Sequence, residues 1–167
     1  MMMGETYVEC LIKRKTPASM QFLKLLALLL GVGCILLGLM IRLELLAVSV
    51  VFFVASYYIS INSDLEYEYL YLDKEVTVDK VIAKTKRKRV AQYDLETMEI
   101  FAPLQSHYLD SYRNRQTTTV DYSSGVEQQP EKRYAMYCEG GKRVILEPSP
   151  EMVKAMKGVA PRKVFME

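Results

Sequence analysis

Two long apolar runs occupy the first third of this chain, and only Arg42, Leu43 and Glu44 separate them. The first run extends from Phe22 to Ile41 and the second from Leu45 to Ile61. At about 1.5 Å per residue, the first run forms a helix of roughly 30 Å, which matches the hydrocarbon core of a bilayer. The sequence therefore predicts a transmembrane helical hairpin over residues 21–61, with spans at 22–41 and 45–61.

A secretory signal peptide is the competing interpretation of the first run, because basic residues at 13–15 precede it. The apolar region of a signal peptide has about 7–15 residues and ends near a cleavage site between small residues. The run found here is longer, no Ala-x-Ala-like site follows it, and the second run begins almost at once. We therefore prefer the transmembrane hairpin.

Positive charges indicate the orientation of the hairpin. Residues 13–15 are Lys-Arg-Lys and Lys24 lies near the start of the first run, whereas the connecting loop has a single arginine next to a glutamate. Because cytoplasmic flanks carry an excess of Lys and Arg, we expect the N-terminus in the cytoplasm. Two crossings return the chain to that side, which predicts a multi-pass protein of the cell membrane with both termini cytoplasmic. The expected division is a cytoplasmic segment at 1–20, the hairpin, and a cytoplasmic domain at 62–167.

Small residues form a stripe along each predicted transmembrane helix. They are Ala27, Gly31, Cys34 and Gly38 on the first helix, and Ser49, Ser56 and Ser60 on the second. Because apolar surface gives two helices no hydrophobic reason to associate inside a bilayer, close packing at small residues has to hold them together. We interpret the stripes as the mutual interface of the hairpin, with a lipid path, an ion path or a homodimer seam as alternatives. No Asp, Glu, His or Arg lies deep within either run, which argues against a transporter or channel.

The remaining residues, 62–167, predict one small domain of strands followed by a helix. Period-two alternation and β-branched residues indicate seven strands, at 67–71, 76–82, 87–93, 98–102, 117–122, 133–138 and 143–146. The polar stretch 105–116 is expected to be a loop, and the pair Gly140-Gly141 predicts a hairpin turn. This part of the chain carries as many acidic as basic residues, so nucleic acid is not an expected partner.

The tail of the chain changes to helical periodicity. Ser149 is placed to cap a helix that begins at a proline, and Met152, Met156 and Val159 recur at a spacing that lets them face a core. Gly158 is expected to stop this helix.

The order of seven strands and a C-terminal helix, together with several short segments, resembles a known family. The chain is similar to small bacterial membrane proteins that combine two transmembrane helices with a cytoplasmic bacterial PH-like domain. The segments that carry this resemblance are the Lys-Arg-Lys cluster at 13–15, residues 78–84 leading into Arg87-Lys88-Arg89, residues 121–125, Glu147-Pro148, and residues 161–164. The resemblance implies an α+β membrane protein whose antiparallel PH-like β-barrel of about seven strands is capped by the C-terminal helix. It implies no activity, because one fold hosts unrelated functions.

The densest local feature of the predicted domain is a basic run of five cations within six residues. Its members are Lys84, Lys86, Arg87, Lys88 and Arg89. Contact with anionic lipid of the inner leaflet, or with a protein partner, is one interpretation, since each basic residue near an anionic surface contributes about 1 kcal/mol. The other interpretation is a solvated edge strand, paired with Glu66, Glu68 and Asp79 and protected from aggregation by its charges.

No residue set in the sequence predicts a catalytic, metal or cofactor site. His107 is the only histidine, and Cys138 lies within a predicted strand where a small core residue is the usual occupant. The tyrosines at 67, 69 and 71 form one stripe that fits a core or membrane-proximal face better than a ligand site. We therefore expect a non-enzymatic, membrane-anchored binding or scaffold module. The alternative is an accessory subunit that assembles with a larger membrane complex through its hairpin.

Overall fold

A computed structural model describes residues 7–126 and 128–167 of the chain. The described residues fall into two compact units. One unit contains Thr16–Leu65 together with the short segment Ile82–Lys86. The other contains the chain up to Lys15, Glu66–Val81 and Arg87–Glu167.

The first unit is built around two antiparallel apolar helices. Helix α1 covers Ala18–Met40, so it begins four residues before the first apolar run and ends one residue before its end. Helix α2 covers Glu44–Ser63 and extends past both ends of the second run. Their 23 and 20 residues are enough to cross a membrane by length and composition. Helix α1 begins directly after Pro17, whose ring fixes φ but cannot supply the N–H of a helix interior.

The second unit contains most of an antiparallel sheet with the strand order β1-β2-β3-β4. These strands are β1 Val8–Lys13, β2 Leu65–Leu72, β3 Glu75–Ile82 and β4 Lys86–Asp94. Strand β1 was not predicted, because 1–20 was assigned to a separate segment outside the domain. In the structure it pairs antiparallel with β2, with Val8 opposite Tyr71 and Lys13 opposite Glu66. Its partner lies beyond the whole hairpin in sequence, so local pattern alone gave no reason to join them.

A second sheet has the order β5-β7-β8-β6. Its strands are β5 Met98–Pro103, β6 Thr118–Asp121, β7 Tyr134–Cys138 and β8 Lys142–Leu146. Strand β6 runs parallel to β8, so the prediction of a purely antiparallel arrangement is wrong at this edge. In the sheet, β8 lies between β6 and β7, and β8 pairs antiparallel with β7. The chain that connects β6 to β7 therefore has to pass β8. The described residues thus form eight strands rather than about seven, in two sheets that are not closed into a barrel.

Tight turns connect several of these strands. Asp73 and Lys74 join β2 to β3 with φ angles of 49° and 69°, and Gly140 and Gly141 join β7 to β8 with 85° and 73°. Positive φ at two central residues gives the turn type whose twist matches paired strands, which was predicted for the Gly140-Gly141 pair. The stretch expected to be an irregular loop instead holds a 3-10 turn, His107–Leu109, and a short helix, α3, at Asp110–Arg113.

Helix α4, Pro150–Val159, has its apolar face in the core. The Ser149 Oγ accepts a hydrogen bond from the Met152 backbone N–H at 3.2 Å, which confirms the predicted cap. Met152 and Met156 are buried, but Val159 is 45% exposed because it occupies the last helical position. The helix also runs through Gly158, so the expectation that this glycine ends it is wrong.

Candidate functional site

The structure divides the basic run into two parts. Lys84 lies in the turn that joins β3 to β4 and Lys86 is the first residue of β4, and both are exposed. The neighbouring Ala83 backbone N–H donates a hydrogen bond of 2.9 Å to the Asp64 carbonyl, just after α2 ends. This bond fixes the turn that carries Lys84 against the C-terminal end of α2.

The two arginines of the run have carboxylate partners on neighbouring strands. Arg87 Nε lies 3.0 Å from Glu68 Oε2, and Arg89 Nε lies 3.6 Å from Asp79 Oδ1. Glu68 Oε2 and Asp79 Oδ1 accept no hydrogen bond within the described residues, so each contact is an ion pair only. Lys88 is exposed on the same strand. The arginines therefore belong to a charge network on the sheet, whereas Lys84 and Lys86 belong to the other unit of the chain.

Glu68 is the centre of this charge network and is only 1% exposed. Burial, and next the hydrogen bond with Glu9, raise the pKa of Glu68 to about 7, and the nearby Arg87 opposes this increase. The same hydrogen bond, followed by that from the Tyr7 hydroxyl, lowers the pKa of Glu9. Burial therefore favours the protonated form of the Glu68 carboxyl, whereas the Arg87 guanidinium favours its carboxylate. Sequence reasoning missed this pair because it did not place β1 in the sheet.

The small residues of the two helices line the contact between α1 and α2. Most of them are buried, namely Ala27, Gly31, Gly38, Ser49 and Ser56, while Cys34 and Ser60 are half-buried. Hydrogen bonds from polar side chains join the same face. Ser56 Oγ donates to the Lys24 carbonyl at 3.4 Å, and Lys24 Nζ donates to Ser60 Oγ at 2.9 Å. Ser49 instead bonds within its own helix, to the Leu46 carbonyl at 2.7 Å.

The glycines of α1 differ in how closely α2 approaches them. A Cβ added at Gly38 would lie 3.0 Å from Leu46 Cδ2 and 3.2 Å from the Leu46 backbone nitrogen. At Gly31 the nearest atoms are in the Phe53 ring, at 3.3 Å, and at Gly33 nothing lies within 4 Å. Among these three glycines, Gly38, near the connecting loop, is therefore the one that α2 approaches most closely.

Other candidate residues have structural environments. His107 packs against the Tyr108 ring, and no group of three or more His, Cys, Asp or Glu residues within 7–126 and 128–167 is arranged to hold a metal ion. Cys138 is buried, and this burial raises the pKa of its thiol to about 11, which disfavours the reactive thiolate. The stripe of tyrosines on β2 is buried, and the Tyr69 hydroxyl donates to the Tyr122 carbonyl at 2.6 Å.

Clefts of ligand size open on the sheet-containing unit. One, of about 410 Å³, is lined in part by Lys74, Leu95, Glu96 and Lys163. The Lys163 ammonium donates hydrogen bonds to the backbone carbonyls of Leu95 and Glu96 at 3.3 and 2.8 Å. The cation in this cleft therefore already has acceptors within the protein. Another cleft, of about 390 Å³, lies between β1 and the start of α4 and has a largely apolar lining.

Comparison with known proteins gives one match. The sequence model of the family described as "Bacterial PH-like domain (DUF6106)" matches residues 4–166, which is nearly the whole chain. No curated protein and no solved structure matches the sequence.

Proposed function

Because the chain belongs to the bacterial PH-like domain family (DUF6106), we propose that it is a membrane-anchored, non-enzymatic binding module. PH-like domains are in general binding modules rather than catalysts. The two helices of the first unit supply the anchor, with α1 and α2 spanning the bilayer and both termini in the cytoplasm. The excess of cations at the α1 start, at residues 13–15 and Lys24, supports this orientation.

The hydrogen bond between the Ala83 N–H and the Asp64 carbonyl carries the proposal. It holds the turn with Lys84 and Lys86 at the end of α2, at a length of 2.9 Å. When α2 spans the membrane, its C-terminal end lies in the headgroup region, and both ammonium groups can reach lipid phosphates from there. At about 1 kcal/mol for each basic residue near an anionic surface, the two lysines contribute about 2 kcal/mol.

The arginines of the basic run have a different role in this proposal. Arg87 and Arg89 neutralise Glu68 and Asp79, so they give a lipid surface little net attraction. We therefore assign the lipid contact to Lys84 and Lys86 and a structural role to the two arginines.

The test uses the full chain, since a fragment beginning at residue 62 would lack β1. An environment-sensitive dye is attached at Thr85→Cys, in a background with Cys10, Cys34 and Cys138 replaced by serine. The protein is placed in nanodiscs of phosphatidylcholine, with or without anionic phosphatidylglycerol. We expect the anionic lipid to shift the dye to an apolar environment. The double variant Lys84→Gln with Lys86→Gln should reduce the equilibrium constant between the lipid-bound and free positions of the labelled turn about 30-fold, which corresponds to about 2 kcal/mol.

The matched control replaces two exposed lysines of α4, Lys154→Gln with Lys157→Gln, and changes net charge by the same amount. The proposal is wrong if the dye does not distinguish the two lipid compositions. It is equally wrong if the control pair reduces the contact as much as the turn pair.

A further inference from the structure

Three short segments that are distant in sequence form the walls of the cleft of about 410 Å³. They are the turn between β2 and β3 at Lys74, the turn between β4 and β5 at Leu95 and Glu96, and residues 159–163 at the end of α4 and just after it. We name this feature the turn cleft. Its volume lies within the range of about 300–1,000 Å³ found for small-molecule sites.

Hydrogen bonds between the three segments fix the shape of the turn cleft. The Leu95 backbone N–H donates to the Lys74 carbonyl at 2.9 Å, and the Lys163 ammonium joins the third segment to the carbonyls of Leu95 and Glu96. The Lys163 backbone N–H donates to the Ala160 carbonyl at 3.1 Å, which turns the chain after α4. The walls are therefore connected to one another without a ligand, as in most small-molecule sites.

Cations outnumber carboxylates along the turn cleft by three to one. Glu96 is the carboxylate, and its Oε1 lies 3.4 Å from Lys74 Nζ. Lys163 has its carbonyl acceptors, so two of the cations have partners in the protein. The third, Arg162, is exposed and pairs with no carboxylate within the described residues. Its planar guanidinium can donate two parallel hydrogen bonds to a carboxylate or phosphate group.

The other lining residues of the turn cleft are apolar. Val159 is 45% exposed at the last position of α4, and Ala160 and Pro161 follow it. Leu95, on another wall, is buried. An exposed aliphatic surface beside an unpaired guanidinium suits a ligand that combines an apolar body with an anionic group. Burial of the apolar body gives affinity, and the charged group fixes its orientation.

We propose that the turn cleft binds a small organic anion, in which a carboxylate or phosphate group is attached to an apolar body. The anionic group accepts hydrogen bonds from Arg162, with Lys74 as a second cation of the same cleft, and the apolar body packs against Val159. Glu96 limits the affinity, because its carboxylate competes with the ligand for Lys74. The inference goes beyond the lipid contact proposed above and does not involve the turn between β3 and β4, so the two experiments can fail independently.

The probes are 2-naphthoate and 2-naphthyl phosphate, which share an apolar body and differ in the anionic group. Binding to the full chain in phosphatidylcholine nanodiscs is measured by isothermal titration calorimetry, with empty nanodiscs subtracted. We expect saturable binding of at least one of the two anions. Uncharged 2-naphthamide and inorganic phosphate should each bind at least about tenfold more weakly, because each lacks one of the two recognised parts. The tighter naphthyl anion identifies the group that Arg162 prefers.

Three variants assign the binding to the turn cleft. Arg162→Gln should weaken binding of the tighter naphthyl anion at least about tenfold, because it removes a charge-assisted hydrogen bond. Lys88→Gln removes the same charge from an exposed position on β4 and should leave binding unchanged. Glu96→Gln should instead tighten binding by about threefold, because it frees Lys74 from its surface ion pair. Circular dichroism checks the fold of each variant.

Absence of saturable binding of both naphthyl anions would overturn the proposal, as would equally tight binding of 2-naphthamide. Inorganic phosphate that binds as tightly as 2-naphthyl phosphate would also overturn it, because the apolar wall would then have no part in binding. Equal affinities of the Arg162→Gln and Lys88→Gln variants would have the same consequence, since the anion would then not depend on this guanidinium. Unchanged or weaker binding by Glu96→Gln would contradict the competition for Lys74.

Discussion

Replacing glycines of α1 by alanine should separate close helix packing from helix propensity. Gly→Ala in a helix interior gains about 1 kcal/mol of intrinsic propensity wherever it is made. At Gly38 the new Cβ meets Leu46 atoms at 3.0–3.2 Å, including the backbone nitrogen, which cannot move without moving α2. At Gly33 nothing lies within 4 Å, so only the propensity gain remains. The difference between the two variants is therefore the overpacking term, which is about 1–3 kcal/mol.

The stability of the hairpin contact can be measured through a disulfide. Cys34 lies between Gly31 and Gly38 on α1, and we expect Ser49→Cys on α2 to lie opposite it. In a background with Cys10→Ser and Cys138→Ser, the fraction oxidised in defined redox buffers gives the effective concentration of the two thiols. Gly38→Ala should lower this value by roughly 5- to 150-fold relative to Gly33→Ala, which is the 1–3 kcal/mol expressed as a ratio.

Gly31→Ala provides an intermediate case for the same assay. Its nearest contact is the edge of the Phe53 ring at 3.3 Å, and an aromatic ring end can turn aside more easily than a backbone atom. We expect an effective concentration between those of the other two variants. Equal values for Gly38→Ala and Gly33→Ala would refute the reasoning, because they would show that the α1–α2 distance at Leu46 does not limit association.

Two further predictions concern the sheet and its turns. The pKa of Glu68 is about 7 in the folded protein, against an ordinary value of 4.5. Its contribution to the free energy of unfolding is therefore complete below about pH 4.5 and is lost as the pH rises through about 7. Glu68→Gln should therefore be more stable than the natural chain at about pH 8, by on the order of 1 kcal/mol after solvent screening, and should lose this advantage at about pH 4. Urea unfolding in detergent measures the free energy of unfolding at each pH. An identical pH profile for Glu68→Gln and the exposed control Glu139→Gln would contradict the prediction. Ala83→Gly should stabilise by about 1 kcal/mol, because Ala83 has a φ of 50° that glycine adopts without strain. Ala91→Gly, within β4, should instead destabilise the protein by about 0.5–1 kcal/mol. Equal shifts of the unfolding temperature in the two variants would rule out relief of backbone strain at Ala83.

Local patterns in the sequence were sufficient for the elements whose signals are short-range. The stretches at 22–41 and 45–61, the Gly140-Gly141 turn and the Ser149 cap each depend on residues close together in the chain. The family resemblance stated from short segments is confirmed by the match over residues 4–166. These features needed no knowledge of which distant strands would meet.

Features that depend on distant pairing could not be found in this way. Strand β1 is separated from β2 by the entire hairpin, and its Val-Glu-Cys-Leu-Ile-Lys sequence merges into the basic residues that indicated orientation. The Glu9–Glu68 pair was missed for the same reason, since neither glutamate is unusual by itself. The parallel contact of β6 with β8 also follows from strand order rather than from any residue within β6. Pairing of the basic run with Glu66, Glu68 and Asp79 was one interpretation of the sequence, but only the structure shows that Arg87 lies beside Glu68 and Arg89 beside Asp79.

The position of β1 before the hairpin and β2 after it also constrains how the protein is made. Val8 leaves the ribosome 63 residues before Tyr71, its partner in the sheet, and both helices are synthesised between them. When α1 and α2 are both inserted, the two strands meet only if the hairpin has returned the chain to the side from which it entered. An insertion error that left α2 outside the bilayer or α1 uncrossed would separate β1 from β2. If α1 and α2 span a bilayer, pairing of β1 with β2 therefore requires the chain to cross that bilayer an even number of times between the two strands.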